Sequence, residues 1–125
     1  MLADVLIDPD TLKARPNALS LGLRLPWYQS LPLSVIRIDG LSIDGVEIDA
    51  DRLSFSLNGR TRPLGDMADL TGEYWFLTDT MEIAAPWSDP APGRAYECVV
   101  RLSFFPPYAE TLHRSAIGQS RMRAA

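Results

Sequence analysis

An all-β, single-domain antiparallel β-sandwich is the fold class this sequence predicts, and three observations carry the prediction. Short runs alternate apolar and polar residues, as in Leu21, Leu23, Leu25 and in Leu53, Phe55, Leu57. Turn signals recur at intervals of roughly ten residues, with Asp44–Gly45 and Asn58–Gly59 the strongest of them. Helical patterns are too few to supply the crossovers that a parallel sheet needs. The chain of 125 residues, 46% hydrophobic and 22% charged, has the size and composition of one folded domain over 1–125.

Along the chain, residues 1–20 read as an N-terminal extension holding a short strand and then an irregular segment up to Pro16 and Asn17. From Leu21 to Arg24 a strand presents leucines on one face and a lone cation, Arg24, on the other. Pro26 and Pro32 bracket the next segment and stiffen it, so Trp27, Tyr28 and Gln29 form a non-helical aromatic corner. Such a corner either plugs the core or meets a partner.

Pairing across Asp44–Gly45 sets Ile43 opposite Val46 and Leu41 opposite Ile48, with Ser42 and Glu47 on the other face. Ile36 and Ile38 have the opposite parity to Leu41 and Ile43, which a bulge at Gly40 reconciles within one strand. Leu53–Leu57 and Arg60–Leu64 flank the Asn58–Gly59 turn, and Pro63 with the charges beside it marks the second arm as an edge. Gly65–Gly72 has room for one helical turn around Met67 and Leu70. Tyr74–Leu77 and Met81–Ala84 read as strands joined at Asp79–Thr80. Trp87, in the loop Pro86–Gly93, reads as a lid on the core. In Ala95–Phe105 the residues Tyr96, Cys98, Val100, Leu102 and Phe104 share one face, and Pro106 and Pro107 end the strand. Beyond it, 109–125 reads as a short irregular or helical C-terminal segment, a helix that docks or a tail that frays.

Chemistry is sparse. The net charge of −4 disfavours nucleic acid, and no run approaches the apolar length of a membrane span. With one cysteine, Cys98, an intrachain disulfide is impossible, and its place in an apolar strand phase marks a packed thiol. The N-terminus lacks a basic leader followed by a long apolar segment, which points to the cytoplasm. His113 is the only histidine, so neither a zinc site nor a Cys–His nucleophile is expected; no catalytic and no metal-binding residue is assigned. Asp39, Asp44, Asp49 and Asp51 are close in sequence, but the first two precede glycines in tight turns and the spacing is not that of a calcium loop. Glu73 beside Tyr74 and Trp75 admits two readings, a surface glutamate or an acid in an aromatic pocket with a raised pKa. Arg24 among leucines calls for a carboxylate partner, within the fold or across an interface.

The segment LRLPWYQSLPLS, the IDGLSIDGVEI hairpin, the FSLNGR turn, the YWF run and the strand YECVVRLSFFPPY together resemble the small β subunit of bacterial C-glycoside deglycosidases, from about Leu21 to Tyr108. The resemblance implies a small β-sandwich that pairs with a larger TIM-barrel α subunit of the sugar isomerase/epimerase type. It further implies that the α subunit holds a divalent metal such as manganese and the acid–base residues, and that the complex cleaves 3-oxo-glycosides by elimination. No cofactor is then expected in this chain. Where a basic residue is expected after the aromatic pair, the chain has Gln29. Arg24, Trp27, Tyr28, Gln29, Trp75 and Tyr108 are the expected partner-interface residues. Two other readings compete: a stand-alone carbohydrate-binding module stacking sugars on Trp27, Trp75 and Trp87, and a self-associating structural domain.

Overall fold

The computed structural model describes residues 5–107 and 112–125. Among the described residues eleven strands run in chain order: β1 Lys13–Arg15, β2 Ala18–Arg24, β3 Leu31–Pro32, β4 Ile36–Ile43, β5 Val46–Ile48, β6 Ser54–Leu57, β7 Arg60–Pro63, β8 Tyr74–Trp75, β9 Thr80–Pro86, β10 Ala95–Phe104 and β11 Arg114–Arg123. They form a five-stranded sheet in the order β1-β2-β9-β6-β7, a four-stranded sheet in the order β11-β10-β4-β5, and a small pair, β3 with β8. All the strand pairs are antiparallel. Leu19, Leu21 and Leu23, Phe55 and Leu57, and Met81, Ile83 and Ala85 from the first sheet meet Ile36, Ile38, Leu41, Ile43 and the even-numbered residues Tyr96 to Phe104 from the second in one continuous core. Period-two alternation on both sheets, with apolar faces turned inward, gives the sandwich.

Tight turns that demand a left-handed residue pin the register. Asp44 and Gly45 have φ of 51° and 80°, Asn58 and Gly59 of 54° and 77°, as a two-residue hairpin turn requires. Leu41 faces Ile48, Ser42 faces Glu47 and Ile43 faces Val46, the expected pairing, although Val46 at the sheet edge stays exposed. The expected bulge is also present: Arg101 pairs with Gly40 and Leu102 with Ile38, leaving Asp39 as the extra residue. Arg101 folds over Gly40 to reach Glu47 at 3.1 Å, so any Cβ at position 40 would collide with its guanidinium.

Two expectations about the chain ends are corrected. Residues 114–123 are neither irregular nor helical: β11 pairs with β10 over ten consecutive positions, from Arg114 against Phe104 to Arg123 against Ala95. Its inward residues, Ala116, Gly118, Ser120 and Met122, are mostly small, so the stripe looks thin in sequence, while the long neighbouring strand supplies the template. At the other end, β2 begins at Ala18, earlier than Leu21, and turns back through Pro16 and Asn17 (φ 56°) to β1. Pro presets the first corner of that turn and Asn tolerates the left-handed second one. Of the expected strand Tyr74–Leu77 only Tyr74 and Trp75 are in register with a partner, and the expected helical turn is a 3-10 helix over Leu64–Asp69 that buries Met67.

Burial accounts for Cys98. Its thiol is pushed up to about 11, first by desolvation and then by the nearby Asp44 and Glu97 charges, which makes it a packing group. Trp87 lies edge-on to buried Tyr96, with ring centroids 5.9 Å apart, as a lid would.

Candidate partner-binding site

The end of the sandwich where β2 stops and β9 starts gathers most of the expected interface residues. Pro26 and Leu25 are buried and hold the corner down, while Trp27 is half-buried against the core. Its ring meets Phe104, at the end of β10, edge-on at 5.0 Å, and meets Tyr28 at 4.6 Å. Tyr28 is 59% exposed, and Gln29 is exposed beside it. Trp27 therefore acts as a spacer between core and surface, and Tyr28 is what the corner offers outward.

The adjoining loop is stitched to the corner by hydrogen bonds to its backbone. Ser30 Oγ accepts the Leu77 N–H at 3.1 Å, Leu31 and Pro32 pair with Trp75 and Tyr74, and the Leu33 N–H donates to the Glu73 carbonyl at 2.8 Å. The stitching lifts Tyr74 and Phe76 to the surface, 42% and 51% exposed, with stacked rings 6.1 Å apart. Phe105, tied by its N–H to the Val35 carbonyl, adds another exposed ring, stacked at 4.7 Å on His113. Exposed aromatic side chains grouped at one end of a small domain are the residue types that interfaces enrich.

Trp75 lies between these exposed rings and has no accessible surface; its indole N–H donates to the Asp79 carbonyl at 3.0 Å. It shapes this end of the sandwich from inside and, being fully buried, presents no surface that a partner could touch. Strand alternation explains this, because Tyr74 and Phe76 point one way and Trp75 the other. Tyr108 lies outside the described residues. Arg24, at the end of β2, is half-buried and donates from Nη2 to the Leu77 carbonyl at 2.8 Å.

Glu73 is not an acid in an aromatic pocket. Arg62 grips both its carboxylate oxygens at 2.8 and 3.0 Å, and Asn58 Nδ2 donates at 3.0 Å. The Arg62 and Asn58 hydrogen bonds hold its pKa below the ordinary 4.5. A lowered folded-state pKa gives stability that is present above the unfolded value and lost as pH falls through the folded one. Glu73→Gln should therefore lower the urea midpoint at neutral pH, and the gap to wild type should close as the solution is acidified. A gap independent of pH would mean that the ion pair contributes nothing.

Among the described residues no group of three or more His, Cys, Asp or Glu side chains is placed to hold a metal. Asp44 instead accepts the Glu97 N–H at 2.9 Å and pairs with Arg94 at 3.4 Å, a turn-closing role. Sequence reasoning missed the wall opposite Arg24, formed by Val5 to Pro9, because that segment arrives through an isolated bridge from Ile7 to Leu23 that no local pattern announces.

Comparison with known proteins finds several named relatives. A protein from Arthrobacter globiformis named C-glycoside deglycosidase beta subunit is 35% identical over 116 residues, covering 90% of this chain and 86% of its own length. One of the same name from Microbacterium trichothecenolyticum is 30% identical and covers 99% of this chain and 98% of itself. A 3'-dehydrocarminate deglycosidase beta subunit from a Microbacterium species is 32% identical over 86% of this chain and 81% of its own length. Among solved structures, the major pilin subunit of Bacillus cereus aligns with 93% of this chain and 37% of its own, but at 12% identity and a TM-score of 0.33 that likeness carries no argument. The sequence profile described as C-glycoside deglycosidase beta subunit matches residues 12–108, and the chain belongs to that family.

Proposed function

We propose that this chain is the non-catalytic small subunit of a C-glycoside deglycosidase-like lyase complex and docks through its aromatic end on a larger, metal-dependent TIM-barrel α subunit. The observation that carries the reading is the exposed Tyr28, backed by Trp27, at an end that also exposes Tyr74, Phe76 and Phe105. In the proposed division of labour the α subunit holds a divalent metal such as manganese and the acid–base groups. The described residues of this chain do not fit a metal, since they offer no ligand cluster. The substrate class is a 3-oxo-glycoside: its ketone acidifies the neighbouring C–H, and loss of that proton drives elimination of the aglycone from the anomeric carbon. A cytoplasmic site of action belongs to the same proposal; no helix among the described residues is long and apolar enough to cross a membrane.

The placement of the tryptophans weighs against a stand-alone sugar-binding module. Trp75 is buried, and Trp87 follows Pro86, which pairs with Ala18 at the far end of β2 from Trp27. The three do not line one open face, as a stacking platform would need.

Purified alone, the chain should turn over no aromatic 3-oxo-C-glucoside and should carry no stoichiometric metal by elemental analysis. Co-expressed with the barrel subunit, it should co-purify and give active material. Turnover by this chain without a barrel subunit would sink the proposal.

A further inference from the structure

Among the described residues, Arg15, Arg62, Arg94 and Arg101 each pair with a carboxylate, at 3.0, 2.8, 3.4 and 3.1 Å. The other arginines that lack a carboxylate partner, Arg37, Arg52, Arg60, Arg114, Arg121 and Arg123, are exposed, where water solvates them. Arg24 alone is half-buried without an anionic partner. Its Nη2 is used on the Leu77 carbonyl, while its Nε is shielded from solvent and has no acceptor. A shielded donor left unmade is costly, and a cation facing apolar walls without a counter-charge more so.

Arg24 forms part of the wall of a cavity of about 510 Å³ whose other walls include Ile7, Pro9, Leu25, Trp27 and Leu77. Among the described residues the acidic side chain lining it is Asp8, which accepts the Thr80 hydroxyl at 2.9 Å and makes no ion pair with Arg24. The cavity thus combines apolar walls, an aromatic edge, a carboxylate engaged by the Thr80 hydroxyl and a guanidinium with one donor unmet. Its chemical complement is a carboxylate carried on an apolar segment.

We propose that this cavity receives an Asp or Glu side chain of the partner subunit, whose carboxylate supplies the acceptor that Arg24 lacks. The inference rests on the docking proposed above and adds the chemistry of the inserted group. Charge complementarity selects the occupant: a guanidinium in an apolar recess favours an anion that brings its own apolar cover. A carboxylate that met both Nε and the neighbouring terminal nitrogen would take the bidentate geometry that distinguishes Arg from Lys.

The test measures the affinity of the chain for the barrel subunit by titration calorimetry, for wild type, Arg24→Gln and Arg24→Lys, with thermal melts of each isolated variant. Arg24→Gln should weaken association by about thirty-fold or more, the loss expected when one member of a desolvated charge pair is removed. Arg24→Lys keeps a donor for the Leu77 carbonyl and should fold even if Gln does not, yet it should recover only part of the affinity. In wild type, the Arg24 Nε–H resonance should move downfield when the barrel subunit is added. If wild type binds and both variants bind equally well, the inference is overturned while the subunit reading stands. If wild type does not bind at all, the subunit reading fails first. Self-association that depends on Arg24 would assign the cavity to another occupant and overturn the inference as well.

Discussion

Trp75→Ala should be the most damaging single change in the described part of the chain, lowering folding stability by about 3 to 5 kcal/mol. The indole has no accessible surface, so the substitution opens a large cavity between the β3–β8 pair and the main sheets. It also strips the Asp79 carbonyl of the donor that lies 3.0 Å away. A small domain has on the order of 5 to 15 kcal/mol in total, so a loss of this size removes a large fraction of it. Trp75→Phe weights the contributions differently: most of the volume stays while the hydrogen bond goes, at a cost of about 1 to 3 kcal/mol. Urea unfolding of both variants measures them. A wild-type midpoint for Trp75→Ala would show that the ring is not core. Because β8 carries Tyr74 and leads into Phe76, the alanine variant should also lose the stacked pair at the surface.

Much of the fold was legible because it is specified locally. The Asp44–Gly45 and Asn58–Gly59 turns need positive φ at both central residues, and side-chain parity on either side then determines the partners. The Gly40 bulge followed from the same parity argument. What stayed hidden depends on distant pairing. β11 has small inward residues and is held by ten positions of β10, an interaction across the chain that no window of sequence contains. Both readings of Glu73, a surface glutamate or an acid near aromatics, stayed open because Arg62, which holds its carboxylate down, reaches it only after the β6–β7 hairpin has formed. At the candidate site the same division applies. Two prolines announce the Trp27–Tyr28 corner, but Trp75, expected at the interface, is the buried ring of Tyr74–Phe76 and its neighbours are the exposed ones, because the strand that sets their alternation is only two residues long. The cavity beside Arg24 was not readable, because its opposite wall comes from Val5 to Pro9 through tertiary contact alone.

The corner itself should divide into an anchor and a support. Tyr28→Ala should weaken association with the proposed barrel subunit by about 2 kcal/mol, roughly thirty-fold in Kd, and lower the thermal melt of the isolated chain by less than Trp27→Ala does. Its ring is 59% exposed and leans on Trp27 at 4.6 Å, so its loss opens no internal cavity. Trp27→Ala should lower both quantities. Removing the indole deletes the edge-on contact with Phe104 at 5.0 Å, which costs folding stability of about 2 kcal/mol, less than for a fully buried tryptophan. It also removes the surface against which Tyr28 is held, and a ring that must be ordered during binding gives back affinity as lost entropy. Trp27→Phe should restore most of the melt and part of the affinity, since a smaller ring still reaches Phe104 but supports Tyr28 over less area. Melts of the isolated variants alongside calorimetric titration with the barrel subunit separate the contributions. Should Tyr28→Ala bind as tightly as wild type while Phe76→Ala does not, the anchor lies on the neighbouring loop. Trp27 would then serve the core alone.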